Sequence, residues 1–253
     1  DALPIYKPNP IVQMGLFMDG DGIPLAFSIN KGNTNEQVTL TPLEEQILSD
    51  FNLSKFVVCT DAGLSSADNR KFNNISGRAF ITTQSVKKLK KHLKEWVLDT
   101  NDWHLSDENK VYDISQLDEE KYKYKIFYKE LWIKEDGLEQ KLIVTYSLKY
   151  KNYQRLIRNN QIERAKKIIK TNPTKLKKCN FNDYKRFIAK THCTKEGEIA
   201  NKEIYNIDTN LIANEEIFDG FYAVCTNLED DASRIVEINR RRWEIEECFR
   251  IMK

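Results

Sequence analysis

The first 83 residues alternate short apolar runs with amphipathic stretches, and this alternation constrains the fold more than any other feature. Ile11–Met18 and Ile23–Ile29 flank the turn sequence DGDG, which predicts a β-hairpin. The amphipathic stretch Asn35–Asp50 predicts a helix that begins near Thr41-Pro42. Two further short apolar runs, Lys55–Thr60 and Arg78–Thr83, predict strands. Strands that alternate with helices indicate an α/β layer architecture.

Composition excludes several classes of protein. The chain has 253 residues, of which 40% are hydrophobic and 31% charged, as in ordinary globular proteins. No apolar run approaches the roughly 20 residues that cross a bilayer, and the first ten residues do not resemble a signal peptide. We therefore expect a cytoplasmic protein without a membrane partner. The five cysteines are far apart and form no CxxC pair, so they predict reduced thiols, not disulfides or a zinc site.

Charge is nearly balanced overall but clustered locally. Lys and Arg number 40 and Asp and Glu 38, so the net charge of +2 does not by itself indicate a nucleic-acid partner. Cations nevertheless crowd three segments, where they could follow a phosphate backbone or form solvated helix faces. These segments are Lys87–Lys94, Lys166–Lys178 and Arg240–Arg242.

The middle of the chain differs in character from the start. Between Ser85 and Phe218 it is rich in Lys, Tyr and Asn, with β-like segments at Tyr122–Ile133 and Lys141–Tyr150. Tyr153–Lys170 predicts an amphipathic helix with a basic exposed face. The sequence thus predicts a core interrupted by a β-rich insertion. The predicted parts are residues 1–84 (core, first part), 85–218 (insertion subdomain) and 219–253 (core, last strand and helix).

A strand and a long helix are predicted at the end of the chain. Gly220–Thr226 is an apolar run typical of a core strand, and Asp230–Lys253 has helical periodicity. Four apolar residues recur at helical spacing and predict the face that packs on a sheet. These residues are Ile238, Ile245, Phe249 and Met252.

A second face of this helix is charged. At about 100° per residue, Arg242, Glu246 and Lys253 fall within about 40° of one another. One explanation is an ordinary i,i+4 Arg–Glu pair, worth only a few tenths of a kcal/mol. The other is a functional carboxylate flanked by cations.

Asp61 is the second candidate carboxylate. It follows the run Lys55–Thr60, whose lack of alternation predicts a strand buried on both faces. In open α/β sheets, ligands bind beyond such strand ends, although a turn or helix cap equally explains an Asp there. A carboxylate at a strand end and another on a packed helix suit Mg²⁺, a hard cation that takes oxygen ligands.

Four segments carry a resemblance to a known family. The end INRRRWEIEECFRIMK resembles the signature of bacterial insertion-sequence DDE transposases, in which Tyr, Arg, Glu and Lys recur with two, three and six residues between them. Arg242, Glu246 and Lys253 match this spacing, and Asn239 occupies the Tyr position. The segments FMDGDGIPLAFSINKGNTNE, VVCTDAGLSS and DGFYAVCTNL resemble further family segments, in family order.

The resemblance implies a ribonuclease-H-like mixed sheet with flanking helices, interrupted by a β-rich insertion. It also implies metal-dependent cleavage and strand transfer of DNA in cut-and-paste transposition, at two Mg²⁺ or Mn²⁺ ions held by two Asp and one Glu. Carried over by position, Asp61 and Glu246 are metal ligands, while Arg242, Arg250 and Lys253 contact DNA. The family's paired-end complexes imply a homodimer.

The first catalytic Asp is expected on a strand before the Ile11–Met18 run. The chain begins after that point, and Asp1, Asp19 and Asp21 fall in predicted loops or turns. The sequence therefore predicts a fragment that lacks this strand. Two alternatives remain open: a catalytically inactive DNA-binding or interfering transposase remnant, and another ribonuclease-H-like nuclease.

Overall fold

A computed structural model describes residues 12–75, 77–106, 108–171, 183–193 and 199–241. These residues pack into two compact units. The first contains the described residues up to Lys88, Tyr128–Val144 and the described residues from Tyr222 onward. The second contains Leu89–Phe127 and the described part of Thr145–Phe221. The three-part division predicted from sequence stays a prediction.

The predicted N-terminal hairpin is confirmed. Strands β1 (Val12–Met18) and β2 (Pro24–Lys31) pair antiparallel and form a two-stranded sheet of their own. In the connecting turn, Asp19 Oδ1 accepts hydrogen bonds from the backbone N–H groups of Asp21 and Ile23, both at 2.9 Å. The Asp and Gly residues of this segment therefore act as turn residues.

The next elements alternate as predicted. Helix α1 (Leu40–Asp50), strand β3 (Phe56–Thr60), helix α2 (Ala67–Phe72) and strand β4 (Arg78–Gln84) follow in order. Strands β3 and β4 are parallel, as expected of two strands joined by a helical crossover. Ser66 caps α2, since its side chain accepts a hydrogen bond from the N–H of Asn69 at 3.2 Å.

The prediction that β3 is buried on both faces is wrong. Val58 is 3% exposed, but Val57 on the opposite face is 51% exposed. β3 is the first strand in the order of its sheet, so it has a neighbouring strand on one side only. A continuous apolar run does not distinguish an edge strand of this kind from a central one.

A seven-stranded sheet organises the fold. Besides β3 and β4 it contains β5 (Trp103–Leu105), β6 (Glu108–Tyr112), β7 (Phe127–Glu135), β8 (Leu138–Tyr146) and β11 (Phe221–Thr226). Its order is β3-β4-β11-β8-β7-β5-β6, and it is mixed because β4 pairs parallel with β3 and antiparallel with β11. The sheet and its helices confirm the predicted mixed α/β fold, consistent with a ribonuclease-H-like architecture.

Helix α6 (Ala232–Arg240) packs on the sheet within the first unit. Its residues Ala232 and Ile235 are fully buried in one apolar cluster with Ile81 of β4, Ile143 of β8 and Val224 of β11.

The sequence predicted a different packing face for this helix. Ile238, assigned to that face, is 38% exposed, whereas Asn239 is 2% exposed. The buried face passes through Ala232, Ile235, Val236 and Asn239, because Asn239 finds polar partners inside the unit. Ile245, Phe249 and Met252 lie outside the described residues.

The second unit is built around a long helix, α4 (Leu148–Thr171). The predicted helix is confirmed, although it begins at Leu148 and not at Tyr153. Ile162 and Ala165 of α4 pack with Phe187 in a separate apolar cluster. No helix in the described part of the chain is long and apolar enough to cross a membrane. The unit also contains α3 (Lys91–Leu98), β9 (Ile188–Cys193), β10 (Ile199–Ile207) and α5 (Thr209–Glu216).

Candidate active site

Asp61 lies directly after the carboxyl end of β3, as predicted, and its side chain is exposed. Its Oδ1 atom accepts hydrogen bonds from the N–H groups of Gly63, at 2.8 Å, and Leu64, at 3.2 Å. These bonds cap the short 3₁₀ turn Ala62–Leu64, so the capping role considered from sequence is present. They also fix the orientation of the carboxylate at the end of the strand.

A second carboxylate, that of Glu36, approaches the same turn. A Cβ atom placed on Gly63 would lie 3.1 Å from Asp61 Oδ1 and 3.1 Å from Glu36 Oε2. Both oxygens therefore line one small space that the missing side chain leaves open. A side chain at position 63 would crowd both carboxylates.

Gln37 holds the Glu36 segment against the Asp61 turn. Its Nε2 atom donates a hydrogen bond to the carbonyl of Gly63, and its Oε1 atom accepts one from the N–H of Ser66 at 2.8 Å. Asn69 adds a third link, since its Nδ2 atom donates to the carbonyls of Gln37, at 2.9 Å, and Leu64, at 3.0 Å. Two loops that are distant in sequence are thus joined at the end of β3.

Polar side chains connect the end of β3 to the neighbouring strand. The hydroxyl groups of Thr60 and Thr82 form a hydrogen bond of 2.9 Å, and both residues are buried. Thr82 Oγ1 also lies 3.3 Å from the carbonyl oxygen of Asp61. These contacts restrain the backbone at Asp61.

Asn239 links α6 to the strand that precedes Asp61. Its Nδ2 atom donates to the hydroxyl oxygen of Tyr222 at 2.6 Å, and its Oδ1 atom accepts from Cys59 Sγ at 3.5 Å. The Tyr222 hydroxyl in turn lies 2.8 Å from Thr83 Oγ1. Strands β3, β4 and β11 and helix α6 therefore meet in one polar cluster inside the first unit.

This cluster defines the direction of α6. The helix starts after the carboxyl end of β11, and its Asn239 reaches Tyr222 near the amino end of that strand. Because β11 is antiparallel to β4 and β4 is parallel to β3, α6 runs toward the end of β3 that carries Asp61. The other predicted site residues, Arg242, Glu246, Arg250 and Lys253, lie outside the described residues.

A buried cation lies in the sheet-facing part of α2. Arg70 is 9% exposed, and its guanidinium donates to Gln84 Oε1 at 2.7 Å and to Gln140 Oε1 at 3.0 Å. Cys225 lies near this group, and burial raises the pKa of its thiol to about 11. Cys59 and Cys225 form no disulfide within the described residues, and burial keeps the Cys225 thiol protonated and unreactive at neutral pH.

The donors at this corner fit a hard divalent cation. Asp61 and Glu36 offer carboxylate oxygens around an open space, which is the chemistry that Mg²⁺ and Mn²⁺ prefer. Within the described residues no group of three or more His, Cys, Asp and Glu side chains converges.

Comparison with known protein families identifies the class of protein. The chain matches the family model of the transposase DDE domain over residues 10–253, which is nearly its whole length. It therefore belongs to the DDE transposase family, whose members are polynucleotidyl transferases that act in DNA transposition and depend on a divalent metal. No match was found among curated proteins or among solved structures.

Sequence reasoning did not find two residues of this region, Glu36 and Tyr222. Glu36 ends the segment GNTNE that resembled the family, but nothing in the sequence gave it a role. Tyr222 belongs to an apolar run typical of a core strand, so its hydroxyl carried no signal. Both become visible only when strands and loops distant in sequence come together.

Proposed function

We propose that the chain is a catalytic domain of a bacterial insertion-sequence transposase of the cut-and-paste type. In this proposal Asp61 and Glu246 are two of the metal-binding carboxylates, as the family resemblance of their segments suggests. The family membership supports the reaction class, and the carboxylate donors at the end of β3 support the position of the site.

The observation that carries the proposal is the direction and face of α6. Asn239 faces Cys59, two residues before Asp61, and α6 runs toward Asp61. In the terminal helix predicted from sequence, Glu246 would lie seven residues beyond Asn239, which is about 10.5 Å along the helix axis and nearly on the same face. Asp61 likewise follows Cys59 in the direction in which α6 runs.

The chain's own residues would orient the reaction. A pair of Mg²⁺ or Mn²⁺ ions, when bound, lowers the pKa of the attacking water and stabilises charge on the leaving oxygen. Asp61 presents its carboxylate in a fixed direction because the Gly63 and Leu64 N–H groups hold one oxygen. The site thus positions a phosphodiester for hydrolysis and then for in-line attack by the freed 3′-hydroxyl.

Cations on the same terminal segment would bind the DNA. Arg242, Arg250 and Lys253 flank Glu246 in sequence and would contact phosphates near the cleaved end. A homodimer in the paired-end complex completes the proposal, since two transposon ends must be brought together.

Metal-dependent DNA cleavage tests the assignment. Asp61→Asn and Glu246→Gln should each abolish Mn²⁺-dependent strand cleavage while DNA binding persists. Asp68→Asn and Glu237→Gln, which remove exposed carboxylates near each site residue in the sequence, should cleave like the unaltered chain. Cleavage retained by either site variant would refute the assignment. DNA binding without cleavage in the unaltered chain would favour a non-catalytic remnant.

A further inference from the structure

Helix α4 concentrates positive charge. Its 24 residues contain eight Lys or Arg and one acidic residue, Glu163. The helix alone therefore carries a net charge of +7 in a chain whose total is +2. The rest of the chain is net acidic, so α4 is a local attractor for anions and not part of a generally basic surface.

Few of these charges have partners among the residues that the structure describes. Arg158 is buried and bound to Asp219, and Lys166 pairs with Glu163 at 2.8 Å. Six of the cations are exposed, and three of them lie on the side of the helix opposite to the buried residues Ile162 and Ala165. These three are Lys149, Arg164 and Lys167, and the other exposed cations are Arg155, Lys166 and Lys170.

The cations share this face with exposed aromatic rings. Tyr153 is 58% exposed and stacks on Tyr150, with ring centroids 6.4 Å apart and planes inclined by 19°. Tyr124 is 74% exposed, and the Nζ atoms of Lys123 and Lys149 lie 5.8 and 5.9 Å from its ring centroid. Large rings this exposed are not core residues, and a purely solvated helix face does not need them.

We propose that this surface, the cationic-aromatic face of α4, binds an unpaired strand of DNA. The face is defined by Tyr124, Lys149, Tyr153, Arg164 and Lys167. The inference rests on the proposed function, which supplies DNA as the substrate. Cations would bind the phosphates, and the tyrosine rings would stack on bases, which are accessible only where strands are separated.

The spacing of the cations suits an extended polymer. Lys149 and Lys167 are 18 residues apart, which is five full turns, so they lie in line on the helix surface about 27 Å apart. Tyr153 and Arg164 lie between them in sequence on the exposed side. The face is therefore long enough for several nucleotides and not for a single phosphate group.

Fluorescence anisotropy on the full chain tests this proposal, with a 15-nucleotide oligo-dT and a duplex of the same length as probes. Replacing Tyr124 and Tyr153 together by Ala should weaken oligo-dT binding at least roughly tenfold, because stacking contributes substantially for each base. Duplex binding should change far less. Because both tyrosine side chains are exposed, their replacement should not disturb the fold. Circular dichroism of the variant checks this.

A matched pair of triple variants tests the cations. The log of the association constant for oligo-dT falls as the log of the salt concentration rises. Changing Lys149, Arg164 and Lys167 to Gln should make this slope about 2 less steep. Changing Lys31, Lys55 and Lys134 to Gln removes the same charge from exposed positions outside the three lysine- and arginine-rich segments and should leave the slope nearly unchanged.

Three outcomes would overturn the proposal. They are equal effects of the two triple variants, equal loss of duplex and single-strand binding in the tyrosine variant, and competition by polyglutamate as effective as that by oligo-dT. Normal oligo-dT binding by the α4 variants would overturn the proposal as well, and normal cleavage by these variants would leave the proposed function standing. Failure of the unaltered chain to bind any DNA would instead refute the proposed function.

Discussion

The two units use buried and exposed charge in opposite ways. In the second unit, Arg158 is 4% exposed, and both of its terminal nitrogens donate to the carboxylate of Asp219, at 2.7 and 2.5 Å. In the first unit, Asp61 is exposed and accepts backbone N–H groups of a turn, with the Glu36 carboxylate beside it. One pair of charges is neutralised inside the structure, while the other carboxylates remain available to a cation.

This difference separates structural from functional charge. A buried ion pair is costly to break, because removal of one partner leaves the other charged and unsolvated. An exposed carboxylate contributes little to stability, so its position at a strand end requires another explanation. Variants of the two regions should therefore differ most in the free energy of unfolding.

The largest expected effect follows from Asp219→Asn. The change leaves the Arg158 guanidinium buried without its bidentate partner and should lower the free energy of unfolding by about 3–5 kcal/mol. Urea unfolding measures the loss. Glu216→Gln is the control, because the Glu216 side chain is 51% exposed and contacts a single nitrogen of Arg158, at 3.3 Å. It should cost less than about 1 kcal/mol. Equal losses would contradict the distinction.

Glu44 should produce the next largest effect, as a function of pH. Burial raises the pKa of this carboxyl group from 4.5 to about 7, although hydrogen bonds from Asn73 and the charge of Arg78 oppose the shift. The folded state therefore holds the proton more tightly than the unfolded state. This contribution to stability is fully present below about pH 4.5 and is lost as the pH rises through about 7.

Glu44→Gln removes that dependence. Between pH 4.5 and 8 the free energy of unfolding of the unaltered chain should fall by roughly 3 kcal/mol relative to that of the variant. Urea unfolding of both proteins at each pH measures this difference. A constant difference across this range would show that Glu44 does not titrate in it.

Gly63→Ala should have a smaller effect, directed at the site and not at the fold. The new Cβ would crowd the Asp61 and Glu36 carboxylates and should weaken Mn²⁺ binding about tenfold, or about 1.4 kcal/mol. Gly20→Ala is the matched control, because a Cβ there meets no atom within 4 Å. Calorimetry compares the Mn²⁺ affinities of the two variants. Equal affinities would argue against a cation between the Asp61 and Glu36 carboxylates.

The smallest expected effect is on stability in Asp61→Asn without metal. Asn caps a turn about as well as Asp does, so the free energy of unfolding should change by less than about 0.5 kcal/mol. Asp61→Ala, which removes the cap, should cost about 1 kcal/mol. A larger loss in Asp61→Asn, seen in urea unfolding, would mean that Asp61 is mainly structural.

The sequence predicted features that depend on nearby residues. The hairpin and the α1 to β4 alternation both arise from turn residues and local periodicity. Burial was harder to predict, because it depends on contacts between distant segments. Asn239 lies on the buried face of α6, where an apolar residue would be expected, because its side-chain amide forms hydrogen bonds with Tyr222 and with Cys59, which is 180 residues away.

The candidate site was predicted in part for the same reason. Asp61 could be selected because a strand end is visible in sequence. Glu36 could not be selected, because its approach to Asp61 depends on the hydrogen bonds of Gln37 to the Gly63 carbonyl and the Ser66 N–H. Glu44 lies between Leu43 and Ile47 on the helix, so its burial could have been inferred from that periodicity.

Calorimetric titration with Mn²⁺ in the presence of a short DNA duplex tests the central claim most directly. The claim is that Asp61 and Glu246 hold the same divalent metal site. We predict that the unaltered chain binds Mn²⁺, that Asp61→Asn and Glu246→Gln each abolish this binding, and that Glu237→Gln keeps it. Mn²⁺ binding that survives in either site variant would contradict the claim.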